Sequence, residues 1–165
     1  MGAYSFDIIS EIDLQEADNA VNQTLKEIRT RYDFKGSKSS LELLRDDKKI
    51  RIVADDELKL RNVQDILKTR MAARGISLKA LKFETPEKAF EGTLKQEVLL
   101  IVGLSQEAAK AITKRIKDGH RDAQPAIQGD KIRVSSKSKD ALQAVIAGLR
   151  AEPPEAAIQF TNFKS

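Results

Sequence analysis

The 165-residue chain carries 29 basic and 25 acidic residues and is 41% hydrophobic, enough for one ordinary domain or two small ones beneath a densely charged surface. It has no cysteine, which excludes a disulfide framework, a thiolate nucleophile and a cysteine metal site. No run approaches the roughly 20 apolar residues of a membrane span, and no basic stretch leads into an apolar core at the N-terminus, so a cytoplasmic protein without a membrane partner is expected.

Tyr4 to Ile12 alternates as a strand. Asp13 is placed to cap a helix from Leu14 to about Tyr32, with Glu16 completing a capping-box pattern. The segment Asp33 to Lys38 leads into a strand from Ser40 to Leu44, and the turn Asp46-Asp47-Lys48 returns it through Lys49 to Val53. Asp55 is the expected cap of a second helix, which presents Leu58, Val63, Ile66 and Leu67 inward and stops at Gly75. Strands follow at Leu78 to Phe83 and Leu94 to Val102, separated by a polar loop containing Pro86. Ser105 caps a third helix ending near Gly119, and Ala123 to Gln128 with Lys131 to Ser135 forms a hairpin around Gly129-Asp130. Pro125 has no backbone N–H to donate, so that strand belongs at a sheet edge. Ser138 caps a fourth helix to about Ala151, and Ala157 to Phe163 is the last strand.

The second half of this series repeats the first. Ala20, Val21 and Leu25 of the first helix return 91 positions later as Ala111, Ile112 and Ile116. Lys49-Ile50-Arg51-Ile52-Val53 returns 82 positions later as Lys131-Ile132-Arg133-Val134-Ser135, and Leu60, Val63 and Leu67 return as Leu142, Val145 and Leu149. The difference in offset places nine extra residues between the first helix and its strand pair. The fold class is α+β. Each half reads as β-α-β-β-α-β, the ferredoxin-like arrangement of a four-stranded antiparallel sheet with two helices on one face. Residues 1–90 and 91–165 are the expected domains.

Such a sheet leaves its second face open. Lys49 and Arg51 share that face in the first half, Lys131 and Arg133 in the second, and either binding or a plain solvated surface accounts for them. The RNA-recognition motif has the same topology but stacks bases on central-strand aromatics, which are missing here. Aromatics lie among cations elsewhere, at Arg31-Tyr32-Asp33-Phe34-Lys35 and at Phe160 to Lys164, where they either stack a base beside a paired phosphate or simply fill the core. Lys110, Lys114 and Lys117 follow one helix face, either along a polyanion or into solvent. A single histidine, His120, gives no metal-ligand set, and neither G-x-G-x-x-G nor a P-loop occurs. No enzymatic activity, cofactor or metal is expected.

Ser5-Phe6-Asp7-Ile8, Arg31-Tyr32-Asp33-Phe34-Lys35-Gly36, Leu78-Lys79-Ala80-Leu81, Lys95-Gln96-Glu97-Val98, Ile127-Gln128-Gly129-Asp130, Asp140 to Ile146 and Phe160-Thr161-Asn162-Phe163-Lys164 occur in this order. These segments resemble the bacterial YajQ-like proteins over nearly the whole chain. Ser136 stands where the family pattern has glycine. The resemblance implies two tandem ferredoxin-like domains, with N-terminal strands either kept in their own halves or exchanged. It also implies binding of a nucleotide or nucleic acid, and for some members of cyclic di-GMP. On this reading Arg31, Lys35, Arg133 and Lys164 contact phosphate, Phe34 or Phe163 stacks a base, and Gln128 bonds a base edge. The ligand is a nucleotide, a cyclic dinucleotide, or tRNA or another RNA. The alternative is a protein-interaction module docking a transcription factor or translation-associated partner on its open sheets.

Overall fold

The computed structural model describes residues 4–165. Its strands and helices follow the order β1 (Tyr4–Ile9), α1 (Leu14–Thr30), β2 (Ser40–Leu44), β3 (Lys49–Ala54), α2 (Glu57–Ala73), β4 (Leu81–Phe83), β5 (Glu87–Lys88), β6 (Leu94–Leu100), α3 (Gln106–Gly119), β7 (Gln124–Gln128), β8 (Lys131–Ser136), α4 (Lys139–Ala151) and β9 (Gln159–Lys164). One antiparallel sheet has the strand order β2-β3-β6-β4, with the short β5 also on β6; the other has the order β7-β8-β1-β9.

The N-terminal strands of the two repeats are exchanged. β1 opens the first repeat but lies between β8 and β9, and β6 opens the second repeat but lies between β3 and β4. The chain therefore does not divide at residue 90. The first compact unit is Ile12–Ile101, and the second joins β1 to Val102–Ser165. The reason is the ladder: β6 pairs with β3 from Lys49↔Leu99 to Ala54↔Leu94 and cannot belong to the other sheet.

Each unit has its own apolar core. In the first, Ile50, Ile52 and Val98 of the sheet meet Leu60, Val63, Leu67 and Met71 of α2. In the second, Phe6, Ile8, Ile132 and Val134 meet Leu142, Val145 and Leu149 of α4. The matched pairs Ile50/Ile132 and Leu60/Leu142 are all buried, as the repeat requires. Leu58 is not part of this face. It precedes Leu60 by two residues, about 200° around the helix, and is 62% exposed.

The helix ends explain further departures from the sequence reading. Asp13 caps α1, its carboxylate accepting from the N–H groups of Gln15 (2.9 Å) and Glu16 (3.2 Å). The helix stops at Thr30 because Arg31 turns extended, and Tyr32–Phe34 form a short 3-10 turn. Asp56, not Asp55, caps α2, accepting from Lys59 N–H at 2.8 Å. Asp55 instead gathers the hydroxyls of Ser37 and Ser39 and the N–H of Lys38, fixing the loop before β2. Gly75, at φ 79°, closes α2 as expected: its N–H reaches Ala72 O and that of Ile76 reaches Met71 O, the Schellman pattern. Residues 78–80 form a 3-10 turn, which shortens β4. Pro125 does lie on an edge strand, β7. Ser136 is buried, its hydroxyl donating to Asp122 O at 2.7 Å and accepting from Ser138 N–H at 3.0 Å, so it ties down the entry to α4.

Gly103 is the least replaceable of the described glycines. It has φ 85°, its N–H donates to Ser10 O at 2.6 Å, and an added Cβ would lie 2.8 Å from Asp130 Oδ2. Gly103→Ala is expected to cost about 1–3 kcal/mol from backbone strain and the clash. A urea midpoint equal to that of the unsubstituted protein would refute it.

Candidate nucleotide-binding site

The concavity that gathers sequence-expected residues lies in the second unit. It has a volume of about 180 Å³, and its wall includes Tyr4 of β1, Lys139, Leu142 and Gln143 of α4, and Phe163 and Lys164 of β9. Leu142 supplies part of an apolar floor, and neither lysine has an acidic partner among the described residues.

A bulge puts Phe163 there. In a regular strand, residues three apart face opposite sides. Between Ser5↔Lys164 and Asp7↔Thr161 the β1–β9 register shifts, with Asn162 at φ 56°. The extra residue turns both Phe160 and Phe163 toward Phe6 on the helix side of the sheet. Phe160 meets Phe6 edge-on at 5.8 Å and 76°, while Phe163 stacks on it at 5.8 Å and 24°. Phe6 is fully buried, yet Phe163 remains 59% exposed. Its ring is thus fixed from one side and available from the other.

Arg133 and Gln128 occupy the open face of the same sheet. Asp7 projects from the middle of that face and is only 2% exposed. Arg133 donates through Nε to Asp7 Oδ1 at 3.0 Å, Asn162 Nδ2 donates to Oδ2 at 2.9 Å, and Lys131 Nζ lies 3.5 Å from Oδ2. Burial pushes the Asp7 carboxyl up, but the bonds from Arg133 and Asn162, with the nearby charges, outweigh it and hold the group below the usual carboxylate range. Gln128 lies opposite Lys131 across the hairpin and is exposed. The first unit repeats this device. Glu97 of β6 takes Lys49 at 2.8 Å and Arg51 at 3.6 Å, and the bond from Lys49 is the main cause of its lowered pKa. The repeated Lys/Arg pairs therefore face a repeated carboxylate, which the strand exchange delivers in both sheets.

Arg31, Phe34 and Lys35 lie in the first unit. Phe34 is 5% exposed and belongs to the core, with Lys59 Nζ 4.9 Å and Arg31 Cζ 5.7 Å from its ring centroid. It has no open face for a base. Arg31 is turned back onto Asp33 by two bonds of 3.0 and 2.9 Å. Lys35 is exposed and its ammonium has no acidic partner among the described residues, and the exposed aromatic of this loop is Tyr32, at 89%. Phe163 and Lys164 share one cleft, Gln128 and Arg133 share one sheet face, and Arg31 and Phe34 touch. Sequence reasoning missed Tyr4, Lys139 and Gln143. The Ser138 cap marked the start of α4, but nothing in the pattern signalled that β9 ends beside it.

Fold and cleft together define a tandem ferredoxin-like α+β protein that presents an aromatic ring beside two lysines without an acidic partner among the described residues. The chain belongs to the YajQ-like family of nucleotide-binding proteins, whose family model matches residues 4–164. A relative from Acidithiobacillus ferrooxidans, itself named a nucleotide-binding protein, is 51% identical over 160 residues, spanning 97% of this chain and 98% of its own. Proteins of the same name from Endomicrobium trichonymphae, at 47% identity, and Heliobacterium modesticaldum, at 50%, each align over 161 residues and cover at least 97% of both chains.

Proposed function

We propose that this chain binds a nucleotide in the second-unit cleft and acts by binding it, not by transforming it. The half-exposed ring of Phe163, stacked on the buried Phe6 and flanked by Lys139 and Lys164, carries this reading. Complete small-molecule sites usually measure about 300–1,000 Å³. A cleft of about 180 Å³ accordingly seats one base, with sugar and phosphate at the rim beside the lysines. Gln143 is placed to bond the base edge. Cyclic di-GMP fits this reading with a single guanine inserted, and an RNA with one unstacked base. The proposed compartment is the cytoplasm.

Calorimetry with AMP, GMP, cyclic di-GMP and a tRNA tests the proposal. For whichever ligand binds, Phe163→Ala is expected to weaken affinity about 5- to 100-fold, the range for losing one base–aromatic stack. Lys164→Ala should lower affinity and flatten its salt dependence. Arg31→Ala and Lys35→Ala should bind normally. If those two lose affinity while Phe163→Ala keeps it, the loop of the first unit is the site.

A further inference from the structure

We infer that the first unit carries a second site with no residue in common with the cleft: a groove along α1 that recognises a phosphate monoester on a hydroxylated, non-aromatic body. The groove, of about 450 Å³, is lined by Asn19, Asn22, Gln23, Leu25, Lys26 and Arg29 of α1 and by Arg74 at the end of α2. That volume is within the ordinary range for a small-ligand site. Residues 19, 22, 23, 26 and 29 follow helical spacing on the side of α1 away from its buried residues Ala17, Ala20, Val21, Thr24 and Ile28.

Charge is sorted around this groove. Residues 1–30 hold six acids but only two bases, and both bases, Lys26 and Arg29, line it. The acids of α1 are each engaged by a cation: Glu16 by Arg74 at 3.2 Å, Asp18 by Arg45 at 4.0 Å and Glu27 by Arg70 at 3.4 Å. Lys26 and Arg29 are left without an acidic partner among the described residues. No carboxylate is part of the lining. Glu16 stands at its edge, holding Arg74 from one side while Gln23 Oε1 accepts from Arg74 Nε at 3.3 Å. With Glu16 counted, the groove keeps two net positive charges, matching a phosphate dianion.

The rest of the lining sets the ligand class. Three carboxamides line it, from Asn19, Asn22 and Gln23. Asn19 is steadied by Gln15 and Glu16 at 3.2 and 3.1 Å, and Gln23 Oε1 accepts from Arg74. That leaves the Asn22 amide and the Gln23 NH2 group to meet hydroxyl groups. No aromatic ring lines the groove, so a base would gain no stacking there, in contrast to the cleft with Tyr4 and Phe163. The competing account is that Lys26 and Arg29 merely offset the negative end of α1. That role changes helix stability and leaves ligand titrations unaffected.

The test is an NMR titration of the ¹⁵N-labelled full chain with ribose 5-phosphate, and with ribose as control. Saturable shifts confined to the amides of residues 19–29 and 74 are expected with the phosphate and not with ribose. Arg29→Ala and Lys26→Ala should each raise the apparent Kd at least about fivefold, and Arg29→Lys should recover part of the loss. Circular dichroism confirms that the variants keep their helices. Phe163→Ala should leave this titration unchanged, which separates its failure from that of the nucleotide cleft. Shifts scattered over the basic surface, equal shifts with ribose, or titrations unaltered in both Ala variants would overturn the proposal.

Discussion

Leu67→Ala and Leu149→Ala are each expected to destabilise the protein by about 2–5 kcal/mol, the range for emptying a well-packed leucine site. Whole domains are stable by only about 5–15 kcal/mol, so either change removes a large part of the margin. The two leucines are repeat equivalents, at α2 and α4, and both are buried. Leu67 lies in the core that holds Ile50, Ile52 and Val98, and Leu149 in the one that holds Phe6, Ile132 and Val134. Urea unfolding followed by circular dichroism measures both. Losses below about 1 kcal/mol at both sites would contradict the packing described here. Leu58→Ala serves as the control: it lies on the same helix but is exposed, and it should change stability by no more than about 0.5 kcal/mol.

The second large effect should come from Asp7. Asp7→Asn keeps the shape but removes the charge that Arg133 and Lys131 face, and a loss of about 2–3 kcal/mol at pH 7 is expected. Breaking a fully buried pair costs about 3–5 kcal/mol. Here the two cations keep part of their hydration, which lowers the expected figure. The pH dependence identifies the cause. Because the folded carboxyl titrates below its unfolded value of about 3.9, its ionised form adds stability that is fully present above that value. That stability disappears as pH falls through the lower folded value. The gap between the unsubstituted protein and Asp7→Asn should therefore stay level from pH 7 down to about 4 and narrow below that. A gap that stays constant there as well would mean that packing, not charge, sets it.

The periodic parts of the molecule were legible in the sequence. Ile50 and Ile52 flank Arg51, Ile132 and Val134 flank Arg133, and α2 and α4 repeat Leu60, Val63 and Leu67 as Leu142, Val145 and Leu149. Those spacings depend on local geometry alone, so they survive in the fold. Strand partners are a different matter. β1 and β6 have the same alternation wherever they pair, so periodicity left the exchange open, and only the resemblance raised it. The site residues divide along similar lines. Phe34 and Phe163 look alike between cations, yet one is sealed into a core and the other freed by a bulge at Asn162. Arg31 and Arg133 were expected on phosphate because nothing in the pattern showed that Asp33 and Asp7 would hold them. Asp7 and Arg133 are 126 positions apart.

That distance bears on how the chain is made. The first unit, Ile12–Ile101, is contiguous, so all its strands have been synthesised before α3 is translated. β1 is synthesised earliest, yet its neighbours begin only at Lys131 and Gln159. At about 5–20 residues per second this strand waits on the order of 10 s, carrying Phe6 and Ile8 with no sheet to enter. Vectorial synthesis thus lets one ferredoxin-like unit close while β1 trails unpaired, captured only once β8 and β9 have been made.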